Sequence, residues 1–144
     1  MRGLDSQVVG SWRLARPKSR VKQKFAGRKD EVDLDIRQNG NICTLKLKGR
    51  LVSGEPVNQF ESAFQSALAS GHIYLILDLE ALPYIDSSGI GSIVNALRTS
   101  TKMGGNVKLV NPASFVSKTF KMVGILSLFG VYATEDEAVA AYGG

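Results

Sequence analysis

The sequence predicts an α/β fold: a mixed β-sheet with an N-terminal antiparallel hairpin and parallel strands covered by about four helices. Three observations predict it. Val32, Leu34 and Ile36 alternate with Asp33, Asp35 and Arg37 ahead of Asn39-Gly40, the period-2 pattern of a half-exposed strand entering a tight turn. Residues 73–79 are almost continuously apolar, as in a central strand covered on both faces. Around that strand, stretches with apolar residues at helical spacing alternate with short strand-like runs, giving β-β and then α-β-α-β-α-β-α. Each strand-helix-strand passage implies a parallel pair with a right-handed crossover.

The hairpin's second strand, residues 42–48, places Cys43, Leu45 and Leu47 on one face and Thr44, Lys46 and Lys48 on the other. Cys43 therefore reads as core packing. Residues 49–54 read as a loop or edge segment. Pro56 suits a first helical position, and Phe60, Ala63, Phe64, Ala67 and Leu68 continue at helical spacing until Gly71. After the central strand, a helix over 88–102 carries Ile90, Ile93, Val94 and Leu97 as its buried stripe and stops at Gly104-Gly105. A strand over 107–110 follows, then a helix over 113–123 with Val116, Thr119, Phe120 and Val123 on one face. Residues 129–132 form a last short strand. Thr134 with Glu137 three residues on is a capping-box pattern opening the final helix.

The 144 residues suffice for one domain with a core of ordinary size. A single cysteine rules out an intramolecular disulfide and a multi-cysteine metal cluster, which fits a reducing compartment. Apolar runs are too short to span a bilayer, and the N-terminus lacks a secretory apolar region, so a cytoplasmic location is expected. The net charge of +5 divides unevenly. Residues 1–29 hold nine Lys/Arg against Asp5, or +8; residues 30–144 hold nine against twelve acids, or −3. Residues 1–29 thus read as a basic, flexible arm, and 30–144 as the domain. The arm is either a solvated extension or an electrostatic handle for nucleic acid, anionic lipid or an acidic partner. No zinc-ligand spacing or helix-turn-helix pattern points to specific nucleic-acid reading, leaving only non-specific contact through the arm.

Chemistry concentrates after the central strand, in Tyr84-Ile85-Asp86-Ser87-Ser88-Gly89-Ile90-Gly91. Loops beyond strand carboxyl ends are the usual functional sites of open α/β sheets. Two readings of the serines stand side by side: a structural helix cap, or a presented hydroxyl. Gly89 and Gly91 each cost roughly 1 kcal/mol of helix stability relative to alanine. Either they leave the helix end bare for a partner, or they allow close packing against a strand. Catalysis by Ser87 is disfavoured: His72, the only histidine, sits before the central strand, and no Gly-x-Ser-x-Gly elbow encloses the serine. Gly89-x-Gly91 is too short for a dinucleotide fingerprint, and no P-loop lysine follows.

From about residue 32 to 142 the chain resembles a STAS domain, specifically the single-domain bacterial anti-sigma factor antagonists. The resemblance rests on Leu75-Ile76-Leu77-Asp78-Leu79, the Tyr84–Gly91 run, Gly104-Gly105-Asn106-Val107-Lys108-Leu109-Val110 and Phe120-Lys121-Met122-Val123-Gly124-Ile125. It implies that Ser87 is phosphorylated by an anti-sigma factor that is also a GHKL-type serine kinase, with Ser88 the neighbouring hydroxyl. It implies further that the unphosphorylated form binds that anti-sigma factor and frees a sigma factor, that the phosphorylated form releases it, and that a PP2C-type phosphatase resets the cycle. The protein would be a kinase substrate and binding module rather than an enzyme, with no cofactor or metal.

The contact residues carried over are Asp86, Ser87, Ser88, Gly89, Ile90 and Gly91, with Gly49 and Arg50 from the preceding loop. That loop departs from the family pattern. Many antagonists have Gly-Glu-(apolar)-Asp where this chain has Gly49-Arg50-Leu51-Val52, which reverses one charge and removes another. A second reading keeps the fold and changes the partner: a STAS scaffold or adaptor subunit of a stressosome-like or lipid-transport complex.

Overall fold

The computed structural model describes residues 19–23 and 32–143 of the chain. Strands β1 (Ser19–Gln23), β2 (Val32–Asn39) and β3 (Ile42–Leu51) pair antiparallel in succession. Helix α1 (Glu55–Ala69) then leads to β4 (Tyr74–Asp78), and the two-residue strand β5 (Tyr84–Ile85) precedes helix α2 (Ser87–Lys102). Next come β6 (Asn106–Val110), helix α3 (Ser114–Met122), a 3-10 turn at Leu126–Leu128, β7 (Gly130–Tyr132) and helix α4 (Glu135–Ala141). The sheet order is β1-β2-β3-β4-β6-β7, with β3-β4, β4-β6 and β6-β7 parallel. The expected mixed sheet with a hairpin and four covering helices is what the described residues form.

The two faces of the sheet are covered unequally. Leu34, Leu45, Leu47, Leu75, Leu77, Val107 and Leu109 bury one face against Phe60 and Phe64 of α1, Ile93 and Ala96 of α2, and Phe120 of α3. The opposite face is smaller: Ile42, Ile76 and Val110 lie under Ala138 of α4, with Tyr74, Tyr132 and Tyr142 packed alongside. The adjacent residues Leu75, Ile76 and Leu77 thus enter both cores, which explains the unbroken apolar run of β4. Thr134 caps α4 by accepting from the Glu137 N–H at 3.1 Å, while Glu137 Oε1 accepts from the Ala133 N–H at 3.1 Å. This is the reciprocal arrangement the capping pattern predicts, with the glutamate reaching one residue further back.

Several expectations need correction. Ser19–Gln23 lies within the stretch read as a flexible arm, yet it pairs along β2 from Ser19↔Gln38 to Gln23↔Leu34; the rest of 1–29 lies outside the described residues. The hairpin loop is Gly40-Asn41 rather than Asn39-Gly40, since Asn39 still pairs with Ile42. Of those two loop residues only Gly40 has a positive φ, 65°, the pattern of a type II′ turn with glycine first. Of the stretch read as a loop or edge segment, residues 49–51 are strand. Gly49 bends β3 with a φ of 115°, so that Ile42–Lys46 pair with β4 while Arg50 and Leu51 pair with Tyr84 and Ile85 of β5. On α3, Val116 and Phe120 are buried as expected, but Val123 lies past the helix end and is exposed. On α2 the fully buried positions are Gly89, Ser92, Ile93, Ala96 and Ser100, with Ile90 and Leu97 at the margin of the core.

Candidate functional site

The bend at Gly49 brings the end of β3 alongside β5 and therefore beside the start of α2. Asp86 joins these elements. Its backbone N–H donates to the Leu51 carbonyl at 3.2 Å, its Oδ2 accepts from the Ser53 N–H at 3.0 Å, and its Oδ1 accepts from the Gly89 N–H at 2.9 Å. One carboxylate thus caps α2 and fastens the β3–α1 connection to it. Partial desolvation of the carboxyl works against ionisation, but N–H donation from Ser53, Gly89 and Ser88 outweighs it and holds Asp86 below the usual carboxylate range.

A depressed folded-state pKa means that the stabilisation is present above the unfolded value, about pH 4, and is lost as pH falls through the folded value. Asp86→Ala is expected to cost about 1–2 kcal/mol of stability near neutral pH, the scale of an N-cap deletion. The difference from wild type should shrink in acid. Urea unfolding of both proteins at pH 7 and pH 3 checks this; an equal gap at both pH values would count against the carboxylate as the cause.

With Asp86 as cap, the serines take a different role. Ser87 and Ser88 occupy the first two helical positions and are both exposed. Neither hydroxyl has a hydrogen-bond partner among the described residues. The structural-cap reading of these serines is therefore replaced: the cap is Asp86, and the hydroxyls are free. The glycines divide between the two explanations offered for them. A Cβ on Gly89 would overlap the Leu51 carbonyl and come within 2.6 Å of Ile85 Cγ1, so this position serves close packing. Gly91 is exposed with nothing within 4 Å of the same construction, leaving the outer surface of the first turn bare.

The other sequence-nominated residues fall close by with different parts to play. Ile90 is half-buried against the core, and Gly49 provides the bend and donates to the Ala81 carbonyl at 3.0 Å. Arg50 is exposed and lays its guanidinium over the Tyr84 ring, 5.0 Å from the centroid. Tyr84 in turn stacks on Phe115 of α3 at 5.2 Å and 16°. Sequence reasoning missed Ser53 and Phe115. Ser53 takes part through its backbone and Phe115 through tertiary placement, so neither leaves a local pattern.

The sequence's one histidine does not stand near Ser87. His72 Nδ1 bonds the Gly40 carbonyl at 2.8 Å, at the hairpin turn, whereas Asp86 sits beyond the other end of ten-residue β3. At about 3.3 Å per residue this separates them by roughly 30 Å. Cys43 lies on the core side of β3, fully buried, and burial pushes its thiol up to about 12. It is expected to resist a thiol-specific disulfide reagent at pH 8 and to react only on unfolding; rapid native reaction would contradict the packing. Among the described residues no three His, Cys, Asp or Glu side chains stand together as a metal site, and no helix is long and apolar enough to cross a membrane.

The model of the family described as "STAS domain" matches residues 33–138, which takes in β2 through most of α4 and the whole Asp86 site. The chain belongs to the STAS domain family. Among its relatives, the anti-sigma F factor antagonist of Lysinibacillus sphaericus is 31% identical over 84 residues, covering 58% of this chain and 71% of the relative. The anti-sigma-B factor antagonist of Bacillus subtilis (strain 168) is 26% identical over 109 residues, covering 75% and 97% respectively. The solved anti-sigma factor antagonist SpoIIAA in its unphosphorylated form superposes with a TM-score of 0.64 at 24% identity, covering 87% of this chain and 96% of that one. SpoIIAA has also been solved in its phosphorylated form, which superposes with a TM-score of 0.59. At that identity the superposition speaks for the STAS fold.

Proposed function

We propose that this STAS protein is an anti-sigma factor antagonist switched by phosphorylation of Ser87. Unphosphorylated, it binds an anti-sigma factor that is also a GHKL-type serine kinase, and a sigma factor is released. Phosphorylated, it lets go, and a PP2C-type phosphatase restores it. The kinase acts in the cytoplasm on the STAS domain of residues 30–144, to whose sheet Ser19–Gln23 adds a strand. The protein is the substrate of this chemistry, not its catalyst.

The observation that carries the reading is the exposed Ser87 hydroxyl at the first position of α2, without a partner among the described residues because Asp86 does the capping. Ser87 Oγ attacks the γ-phosphorus of ATP on the kinase, ADP leaves, and the hydroxyl proton passes to the kinase's own base. The kinase provides that base, since the adjoining Asp86 carboxylate is held by the Ser53 and Gly89 N–H groups. The relatives' names as antagonists of anti-sigma factors support the partner class. A phosphate adds about −1.5 to −2 charges at a helix N-terminus, where the dipole tolerates them. It also places them beside the Asp86 carboxylate, so the docking face changes charge while the fold is kept.

The test incubates the purified chain and ATP with each GHKL-type kinase of the source organism in turn and maps phosphate by mass spectrometry. Phosphate on Ser87, retained in Ser88→Ala and lost in Ser87→Ala, is the expected result. Phosphate confined to Ser88, or no transfer from any kinase, would overturn it.

A further inference from the structure

The three-tier stack of Arg50, Tyr84 and Phe115 stands directly beside the proposed switch and is not used in its chemistry. Its members come from three elements, β3, β5 and α3, and all three are exposed, Tyr84 by 38% and Phe115 by 46%. Stacked aromatic rings left in water at this level expose apolar area that nothing in the domain covers. Arg50 has no carboxylate partner among the described residues, so its position is fixed by the ring beneath it rather than by an ion pair. An arginine resting over a tyrosine ring loses less side-chain entropy when a partner arrives, and both residue types are enriched at binding hot spots.

Charge gives the partner's sign. The domain of residues 30–144 is net −3, and Arg50 stands on it as an exposed cation with no ion-pair partner among the described residues. Lys118 follows Phe115 by three positions on α3, which places the two on one helix face, and α3 contains no acidic residue. Of the carboxylates nearby, Asp86 already accepts from the Ser53 and Gly89 N–H groups, and exposed Glu80, on the turn between the Leu79 and Ala81 carbonyls that bond Ala113 and Gly49, makes no ion pair with Arg50.

We infer that the Arg50–Tyr84–Phe115 stack is the partner-selecting element of this surface, taking a carboxylate of the anti-sigma factor onto the Arg50 guanidinium while an apolar side chain of the same partner covers the two rings. The inference rests on the function proposed above and adds to it the chemistry of the partner's face: acidic and apolar together. Arginine suits the role because its planar fork binds a carboxylate through two parallel hydrogen bonds, which lysine cannot reproduce.

The experiment uses the kinase that phosphorylates Ser87 in the preceding test and measures its affinity for the full chain by calorimetry at low and moderate salt. Arg50→Glu is expected to weaken binding by about 30-fold or more, as for loss and reversal of a paired interface charge. Arg50→Lys and Tyr84→Ala should each weaken it by about tenfold, and wild-type affinity should fall with salt more steeply than that of Arg50→Gln. Arg50 is exposed, so these variants should keep the wild-type melting curve. If Arg50→Glu binds within threefold of wild type, or more tightly, while Ser87→Glu still abolishes binding, the inference fails and the functional reading stands. If neither variant alters binding, both fail.

Discussion

Gly89→Ala is expected to destabilise the domain by about 2–3 kcal/mol, although alanine is the better helix former. The new methyl group would overlap the Leu51 carbonyl, whose position is fixed because it also accepts the Asp86 N–H at 3.2 Å. On its other side stands Ile85 Cγ1, itself buried in the main core. Neither neighbour is the free end of a flexible side chain, so relief requires lifting the first turn of α2 away from β3 and β5. That movement would break the Asp86 bonds to Leu51 and Ser53 and displace Ser87. Gly91→Ala makes the contrast. With open space around it, the added methyl should only improve helix propensity, stabilising by up to about 1 kcal/mol. Urea midpoints of the two variants decide the matter. Equal effects would mean that the packing at Gly89 is looser than the structure shows.

The second large effect is on binding rather than stability. Ser87→Ala should bind the anti-sigma factor within about threefold of wild type, because the hydroxyl has no partner among the described residues to lose and one methyl-sized group remains. Ser87→Glu should bind at least about 30-fold more weakly, since a fixed charge beside Asp86 confronts a surface formed for the neutral residue. Both should melt close to wild type, because an acidic side chain in the first turn of a helix is favoured by the dipole by about 0.3–1 kcal/mol. Binding measured by calorimetry with melting monitored in parallel separates the two effects. Loss of binding in both variants would point to a general disturbance of the turn.

Most of the sheet and every helix were legible in the sequence because burial writes a period. β2 alternates where one face meets the core, and Leu75-Ile76-Leu77 of β4 is apolar throughout where α4 covers the second. What stayed hidden came from tertiary pairing. β1 has no amphipathic period; it exists because β2 offers an unpaired edge to it. β5 is only two residues long, and the partner that makes it a strand, Arg50-Leu51, was masked by Gly49, which reads locally as a breaker but here bends a strand that continues.

The site was legible in composition but not in assignment. Asp86, Ser87 and Ser88 are three acceptable N-caps in succession, and local propensity does not rank them. The register is fixed by Gly89, the residue without a side chain that lets the turn close onto Leu51, and this fixes Asp86 as the cap. The freedom of the Ser87 hydroxyl, on which the proposed switch depends, is therefore a consequence of packing two residues away. Phe115 illustrates the same limit: its partner Tyr84 lies 31 positions earlier, beyond any local pattern.

The most direct test of the switch is to phosphorylate the full chain to completion with its kinase, confirm Ser87 as the modified residue, and measure the affinity of both forms for that kinase. The account predicts that binding falls by about 30-fold or more on phosphorylation, with the melting temperature little changed, and returns after treatment with a PP2C-type phosphatase. Equal affinity of the two forms, or loss of binding accompanied by unfolding, would contradict it.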